Sequence, residues 1–103
     1  MTLRKAEDFE YETVAASQTA QVLGATGQAD DWLEGLLVIP AIVACGLVTV
    51  LDGATSIPVF VGGGTTALVD AKPFWIPIKA KCVTAWKVTT GASVSVIGVG
   101  NFT

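Results

Sequence analysis

Residues 35–51 form an uncharged, apolar run of 17 residues that is interrupted by Pro40 and Gly46. A membrane-spanning helix needs about 20 apolar residues and basic flanks, whereas this run is shorter and lies between the acidic residues Glu34 and Asp52. Valine and isoleucine, which favour strands, recur along it. The run therefore predicts two buried β-strands, separated between Pro40 and Gly46, rather than a membrane segment.

Turn residues divide the following part of the chain into short segments. Asp52-Gly53 lies between two apolar stretches and predicts a hairpin turn whose central residues both take positive φ. Pro58 cannot donate a ladder hydrogen bond, so we place its segment at a sheet edge. The chain then breaks at Gly62–Gly64, which is typical of a flexible hairpin loop because no phosphate-binding motif surrounds it. A weaker strand is expected over Thr65–Val69.

Alternating side chains predict further strands toward the end of the chain. The segment from Phe74 to Cys82 alternates between the predicted inward residues Phe74, Ile76, Ile78, Ala80 and Cys82 and the predicted outward residues Trp75, Pro77, Lys79 and Lys81. Trp86 and Val88 share one face of the next segment. Ser93–Val96 also alternates, but Ile97 and Val99 continue on the opposite parity, so we expect a bulge near Ile97-Gly98.

These six to eight short strands predict an all-β fold, a compact β-sandwich or jelly-roll-like domain. We assign residues 17–103 to this domain, with its first strand at 17–24. Residues 1–16 are predicted to form an extended N-terminal arm that can add to a neighbour's sheet. They lack the apolar stretch of a signal peptide, so synthesis in a reducing cytoplasm is expected.

The composition indicates a protein whose surface is partly covered by other proteins. Hydrophobic residues make up 51% of the chain and charged residues only 15%, against about 25% charged residues in an average soluble domain. Large exposed apolar patches are rare without a partner, so we expect a homo-oligomer, a dimer or a trimer, or docking on a larger body. Residues 1–34 hold two basic and seven acidic residues, whereas residues 35–103 hold four basic and two acidic ones. Four dispersed lysines do not predict nucleic-acid binding.

The residues that carry most enzyme chemistry are absent or isolated. The chain has no histidine, which removes the commonest general base and most nucleophilic triads. Asp30, Asp31 and Glu34 form the one acidic cluster, and their spacing predicts capping of a turn or helix. Cys45 and Cys82 lie in apolar surroundings without metal-site spacing, so we expect two buried thiols, with a disulfide as the alternative. We predict no enzymatic activity, no cofactor, no metal and no small-molecule substrate.

Aromatic and edge residues are the candidates for a protein-binding surface. Trp75 lies opposite the predicted inward face of its strand, and aromatic residues are enriched at interfaces. Core packing and a carbohydrate platform remain open alternatives for the three tryptophans. The predicted interface residues are Phe9, Tyr11, Val14, Pro58 and Trp75.

Three segments of the chain resemble small virion proteins of tailed bacteriophages, of the capsid decoration or cement type. They are Gly27–Glu34, Val48–Thr55 and Ala85–Ile97, and the resemblance extends over residues 17–103. It implies a jelly-roll-like homo-oligomer on the exterior of an icosahedral head that fastens adjacent major-capsid subunits. Our leading hypothesis is that β edges and the N-terminal arm bridge these subunits. It implies no particular binding residue. The alternatives are a receptor- or glycan-binding appendage of a phage head or tail and a small phage membrane protein.

Overall fold

The computed structural model describes residues 9–42, 44–60 and 72–103 as an all-β domain. No helix occurs within these ranges. The eight strands are β1 (Glu10–Val14), β2 (Gln21–Val22), β3 (Trp32–Pro40), β4 (Val48–Asp52), β5 (Thr55–Phe60), β6 (Phe74–Lys81), β7 (Trp86–Thr90) and β8 (Val94–Asn101).

The strands form two four-stranded antiparallel sheets. The first sheet has the order β1-β8-β3-β6 and the second the order β2-β7-β4-β5. Strand one therefore pairs with strand eight, two with seven, three with six and four with five. This nested pairing across two sheets is the jelly-roll arrangement, so the predicted fold class is confirmed.

The core lies between the two sheets and follows the alternation of the strands. β8 and β7 bury every second side chain, and β6 turns Phe74, Ile76 and Ile78 toward the core, as predicted. The largest fully buried side chains are Leu23, Leu33, Leu36, Val14, Val38, Val48, Val50, Val88, Val94, Val96 and Cys82.

The apolar run at residues 35–51 contributes one long and one short strand. β3 ends at the buried residue Pro40, and β4 begins at Val48, so the prediction of two strands separated near Pro40 to Gly46 is confirmed. Gly46 is required here, since a Cβ on it would lie 2.7 Å from the Cα of Gly91. No helix of the described chain is long and apolar enough to cross a membrane.

The hairpin between β4 and β5 differs by one residue from its prediction. Asp52 pairs with Thr55, so the central residues of the turn are Gly53 and Ala54. Gly53 takes a φ of 61°, as the first central residue of a type II′ turn requires. Asp52 instead closes the strand pair. β5 forms an edge of the second sheet, as the presence of Pro58 predicted.

The predicted bulge in β8 is wrong. β8 pairs without interruption with β1, and its burial alternates from Val94 to Asn101. Gly98 occupies the core position because Leu23 fills the space above it, 3.2 Å from where a Cβ would lie. Ile97 and Val99 therefore lie on the opposite side of the sheet. The irregularity of this sheet falls instead at Leu33–Gly35 in β3.

The boundary between an arm at 1–16 and a domain at 17–103 is displaced by the structure. Residues 10–14 form β1, which pairs with β8 of the same chain and buries Val14. They belong to the sandwich because they pair along β8 and Val14 lies in its core. Residues 1–8, the glycine run at 62–64 and the weak strand predicted at 65–69 lie outside the described residues.

Candidate protein-binding surface

The first sheet carries apolar side chains on the side that faces away from the core. Residues paired across neighbouring strands share one side of a sheet. One cross-strand row runs from Thr13 through Ile97 and Leu37 to Trp75. The next row runs Tyr11, Val99, Gly35 and Pro77, and Ile39 extends the surface beside Ser95. We call the surface formed by Tyr11, Leu37, Ile39, Trp75, Ile97 and Val99 the outer face.

Two aromatic side chains project from the outer face. Tyr11 is 73% exposed and Trp75 is 45% exposed. The indole of Trp75 lies across Gly35, since a Cβ on Gly35 would be 2.8 Å from Trp75 Cη2 and 2.6 Å from the carbonyl oxygen of Ile76. Gly35 is therefore the residue that lets Trp75 rest against the sheet. Leu37, which pairs with Trp75, is half-buried.

The second sheet presents a more polar surface to solvent. Thr49 pairs with Thr89 and with Pro58, and Leu51 pairs with Lys87 and with Ser56. Leucine and proline are thus dispersed among hydroxyl groups and an amine. The two exterior surfaces of the sandwich differ in polarity, and the outer face of the first sheet is the apolar one.

A bulge in β3 places one polar group, the Glu34 carboxylate, at the border of the outer face. Glu34 has no partner in β8, and β6 accommodates the irregularity with Lys79 in the left-handed region at φ 54°. The Trp32 indole Nε1 donates to Glu34 Oε1 at 3.0 Å, and Lys79 Nζ lies 3.9 Å from Glu34 Oε2. A left-handed non-glycine residue costs about 1–3 kcal/mol and is found disproportionately at functional sites. The Glu34 carboxylate is consequently held by Trp32 and Lys79, one residue before Gly35, across which the Trp75 indole lies.

The edges of both sheets are poorly suited to accept another strand. β6 has Pro77 and the displaced backbone at Lys79, and β5 has the exposed Pro58. On β1, the Gln21 side chain donates to the carbonyl oxygen of Thr13 at 3.1 Å, and β2 has two residues. Proline, bulges and very short strands are the usual devices that block edge pairing. These features disfavour the addition of a further strand at the described edges.

The predicted interface residues occupy different environments. Tyr11 and Trp75 both project from the outer face, and Phe9 lies half-buried just before β1. Pro58 is exposed, but it belongs to the edge of the second sheet. Val14 was assigned to an interface wrongly, because its side chain is fully buried opposite Val96.

Sequence reasoning overlooked four of the six residues of the outer face. Ile97 and Val99 were expected to return to the core through a bulge, and Leu37 and Ile39 were treated as parts of a buried run. The available signal was the alternation of glycine with these residues in β8, since Gly98 and Gly100 hold the inward positions. Cross-strand pairing with Tyr11 was not visible from local pattern.

The acidic cluster serves the structure at one end of the sandwich. Asp31 is buried, and its carboxylate accepts hydrogen bonds from Gln28 N at 3.2 Å and from Thr103 N and Oγ1 at 2.9 and 2.7 Å. It closes a turn before β3, so the turn form of the capping prediction is confirmed and the helix form is wrong. Glu34 takes no part in this cap, because it lies at the bulge beside Trp32.

Asp52 performs a similar structural task at the end of β4. Its carboxylate accepts hydrogen bonds from the backbone N–H groups of Val83 and Thr84, both at 2.9 Å. Desolvation raises the pKa of Asp52, but the backbone N–H groups of Val83, Thr84 and Ala85 outweigh it and hold the pKa below its ordinary value. This carboxylate therefore remains ionised and is engaged within the fold.

Both cysteines are free and buried, which confirms the prediction of two buried thiols. The Cys82 thiol donates to the Gln28 carbonyl oxygen at 3.1 Å. Burial chiefly raises the pKa of Cys82, with the charges of Asp52 and Asp31 acting in the same direction. A protonated, enclosed thiol is a weak nucleophile. Within the described ranges, no three histidine, cysteine, aspartate or glutamate side chains are grouped to hold a metal ion.

The outer face has the size of a weak contact. Four strands about 4.8 Å apart and three cross-strand rows give a footprint on the order of 400 Å². The largest apolar patch on a typical monomer is about 300–600 Å² and is often functional, whereas a stable interface buries about 800 Å² per partner. One outer face alone therefore suits a contact that is strengthened by further contacts.

No protein-family model, curated protein or solved structure matches this chain.

Proposed function

We propose that this chain is a non-enzymatic structural protein of a phage virion, which attaches to the exterior of an icosahedral head and bridges adjacent major-capsid subunits. The observation that carries the proposal is the apolar outer face, with Tyr11 and Trp75 projecting from it. Aromatic residues in such a patch are the usual anchors of protein interfaces. The resemblance of three segments to small virion proteins supplies the location on a phage head.

The jelly roll is compatible with this role but does not select it. The same architecture occurs in viral capsid proteins, lectins and cupins, and function belongs to the site rather than to the fold. The local support comes from the contrast between the two sheets. The exterior of the second sheet is polar with dispersed apolar residues, whereas the outer face of the first sheet is apolar. The edges of both sheets discourage strand addition.

The modest area of the outer face agrees with a bridging role on a lattice. Linked contacts reinforce one another by raising the effective concentration at the second site. A protein that touches two capsid subunits, or that presents several copies of its outer face, binds tightly although each contact is small. Bridging of this kind also stabilises the shell.

The experiment uses empty, expanded shells assembled from the major capsid protein encoded in the same genome as this chain. Cosedimentation at increasing protein concentration gives affinity and copy number for the wild type and for Tyr11→Asp and Trp75→Ser. Each substitution is expected to weaken binding at least about tenfold, because each removes an aromatic anchor. The control is Ser56→Asp, which adds the same charge as Tyr11→Asp at an exposed residue that pairs with Leu51 on the exterior of the second sheet.

Saturable binding that the two outer-face substitutions weaken and Ser56→Asp preserves supports the proposal. Absence of saturable binding by the wild type contradicts capsid attachment. Equal binding by all four proteins contradicts the outer face as the surface used. Deletion of residues 1–8, which leaves β1 intact, tests the remaining part of the arm, and weaker attachment is expected.

A glycan-binding appendage is the second candidate because of the surroundings of Trp75. The exposed Trp75 indole lies across Gly35, the residue after Glu34, and the Glu34 carboxylate is held by Trp32. Together they offer a stacking surface and a hydrogen-bond acceptor, the two elements of a sugar site. A glycan array distinguishes the candidates. Binding abolished by both Trp75→Ala and Glu34→Gln favours a sugar, since Glu34→Gln leaves the apolar surface intact and has little effect on shell attachment.

A further inference from the structure

The loop that connects β1 in the first sheet with β2 in the second holds two residues in a strained conformation. Ser17 and Ala20 have φ angles of 61° and 48°, in the left-handed region that residues other than glycine rarely adopt. The chain crosses from one sheet to the other within residues 15–20, which we call the hinge. A straighter course of the hinge would let both residues return to negative φ.

Two threonine side chains hold the hinge in its turned course. The Thr90 hydroxyl donates to the Ala15 carbonyl oxygen at 2.6 Å and accepts from Gln18 N at 3.0 Å. Thr89 Oγ1 accepts from Ala20 N at 2.8 Å. Backbone strain persists only where surrounding contacts fix it, so these hydrogen bonds keep the hinge closed.

β1 is bound to the domain through residues that follow the hinge in sequence. It pairs along β8, and Val14 lies in the core. Glu10 Oε1 accepts a hydrogen bond from Phe102 N at 2.8 Å, and Glu12 Oε1 accepts one from Gly24 N at 2.8 Å. The β1 strand of another copy makes each of these contacts equally well, since its sequence is the same.

We propose that copies of this chain exchange β1 and so form a closed, symmetric dimer. In the dimer, β1 of each copy leaves its own β8 and pairs with β8 of the other copy, while the hinge straightens. Both strands are exchanged, so the assembly closes at two copies. A straightened loop of six residues reaches about 20 Å, which allows β1 to lie on a neighbouring molecule while β2 keeps its place.

The contacts of β1 are the reason for choosing a second copy as the partner. The position that β1 leaves matches carboxylates at residues 10 and 12 and an apolar side chain at residue 14. Another copy supplies all three in the correct register. The two forms then differ chiefly in the hinge and in the entropy of association, and the release of strain at Ser17 and Ala20 favours exchange.

Exchange makes the outer face a product of two copies. Tyr11 lies on β1, whereas the other five side chains of the outer face lie on β3, β6 and β8. In the dimer, each outer face therefore combines Tyr11 of one copy with those five side chains of the other. The inference goes beyond capsid attachment, and it is tested on the free protein.

A cross-link across the β1–β8 pair identifies the copy that supplies β1. Thr13 and Ile97 lie directly opposite each other, so a short bifunctional thiol reagent can bridge them in the double variant Thr13→Cys with Ile97→Cys. The protein is equilibrated at high micromolar concentration, treated with the reagent and separated by denaturing electrophoresis. A closed monomer gives a link within one chain, whereas exchanged β1 gives a covalent dimer. The single variants Thr13→Cys and Ile97→Cys, which retain the buried Cys45 and Cys82, should give no covalent dimer.

The hinge is tested by two substitutions of one residue that have opposite expected effects. Glycine accepts positive φ without strain, so Ser17→Gly is expected to raise the dissociation constant of the dimer at least about tenfold, because each dimer contains two hinges. Proline is fixed near a φ of about −65°, so Ser17→Pro is expected to lower that constant. Sedimentation equilibrium measures both. The matched control is Ser93→Gly, which relieves the same φ of 61° between β7 and β8 and should leave the dimer unchanged.

A double variant that gives only links within one chain overturns the proposal. So does a dimer that Ser17→Gly and Ser17→Pro shift in the same direction, or one that Ser93→Gly weakens as much as Ser17→Gly does. Far-ultraviolet circular dichroism shows whether Ser17→Pro has unfolded, in which case Thr90→Val replaces it, because that change removes two hydrogen bonds that hold the hinge. Exchange of β1 without capsid binding would count against the proposed function alone.

Discussion

Gly98 occupies a core position in β8, and its replacement by valine provides a direct test of the way this strand faces. A Cβ at Gly98 would lie 3.2 and 3.4 Å from the two methyl carbons of Leu23 and 3.7 Å from Leu36 Cδ2. A bulge near Ile97-Gly98 would have turned this position away from the core. The substitution therefore separates the observed register from the one the sequence suggested.

The expected loss follows from those distances. In Gly98→Ala, Leu23 must give by a few tenths of an ångström, and this cost is offset by the benefit of about 0.5–1 kcal/mol from removing a glycine from a strand. In Gly98→Val, two further methyl groups enter the same space, and overpacking of this kind costs about 1–3 kcal/mol. We expect Gly98→Ala within about 1 kcal/mol of wild type and Gly98→Val about 2 kcal/mol less stable.

A double substitution isolates the contact with Leu23. Leu23 is fully buried, so Leu23→Ala alone should cost about 2–5 kcal/mol and leave a cavity. In Gly98→Val with Leu23→Ala, the valine enters that cavity. The pair should therefore be more stable than the sum of the single losses predicts, by about 1–2 kcal/mol.

Equilibrium urea denaturation of wild type, Gly98→Val, Leu23→Ala and the double variant measures each free energy of unfolding under identical conditions. Additivity within about 0.5 kcal/mol would refute the reasoning, because residues in contact should couple by more than that. Gly100→Ala is a control with a different obstacle. Its Cβ would meet the backbone carbonyl oxygen of Trp32 and lie 3.1 Å from the Cα of Leu33, so no side-chain truncation should rescue it.

Three further predictions concern the polar groups. Asp52→Asn should lower the free energy of unfolding by about 1–2 kcal/mol at neutral pH, a value discounted for the partial exposure of Asp52. Because the pKa of Asp52 is lowered in the folded state, the difference between the urea midpoints of wild type and variant should shrink as the pH falls below about 4. A difference that stays constant with pH would contradict this prediction. Asp31→Ala should cost about 2–4 kcal/mol in thermal or urea unfolding, since three donors on Gln28 and Thr103 lose their acceptor, and Asp31→Asn should cost less; equal losses would argue against those hydrogen bonds. Burial raises the pKa of Cys82, so a thiol reagent at pH 8 should label native Cys82 slowly and denatured protein rapidly, as mass spectrometry would reveal; fast native labelling would contradict its enclosure.

The strands that could be predicted are those whose two sides meet different environments. In β6, Phe74, Ile76 and Ile78 face the core and Trp75 and Lys79 face outward. The sequence itself therefore shows the alternation, with a period of two, that identifies this strand. The interruption of the apolar run at Pro40 could also be predicted, because proline and glycine commonly end or interrupt regular secondary structure.

The remainder depends on contacts between residues far apart in sequence. β1 was taken for an arm since nothing near residues 10–14 indicates that β8 is their partner. β8 was misjudged because glycine in the core is acceptable only when another side chain, here Leu23, fills the space. Tyr11 and Trp75 were each selected from local pattern, but the outer face exists only because the strand order places β8 and β3 between them.

The blocked strand edges have a consequence for the behaviour of the protein at high concentration. A chain with 51% hydrophobic and 15% charged residues has little electrostatic protection against precipitation at high concentration. Pro58 on β5, Pro77 on β6 and the Gln21 cap on β1 deny neighbouring molecules the open ladder from which fibrils grow. Growth by sheet extension is therefore disfavoured at these edges, even where association through exposed side chains is not.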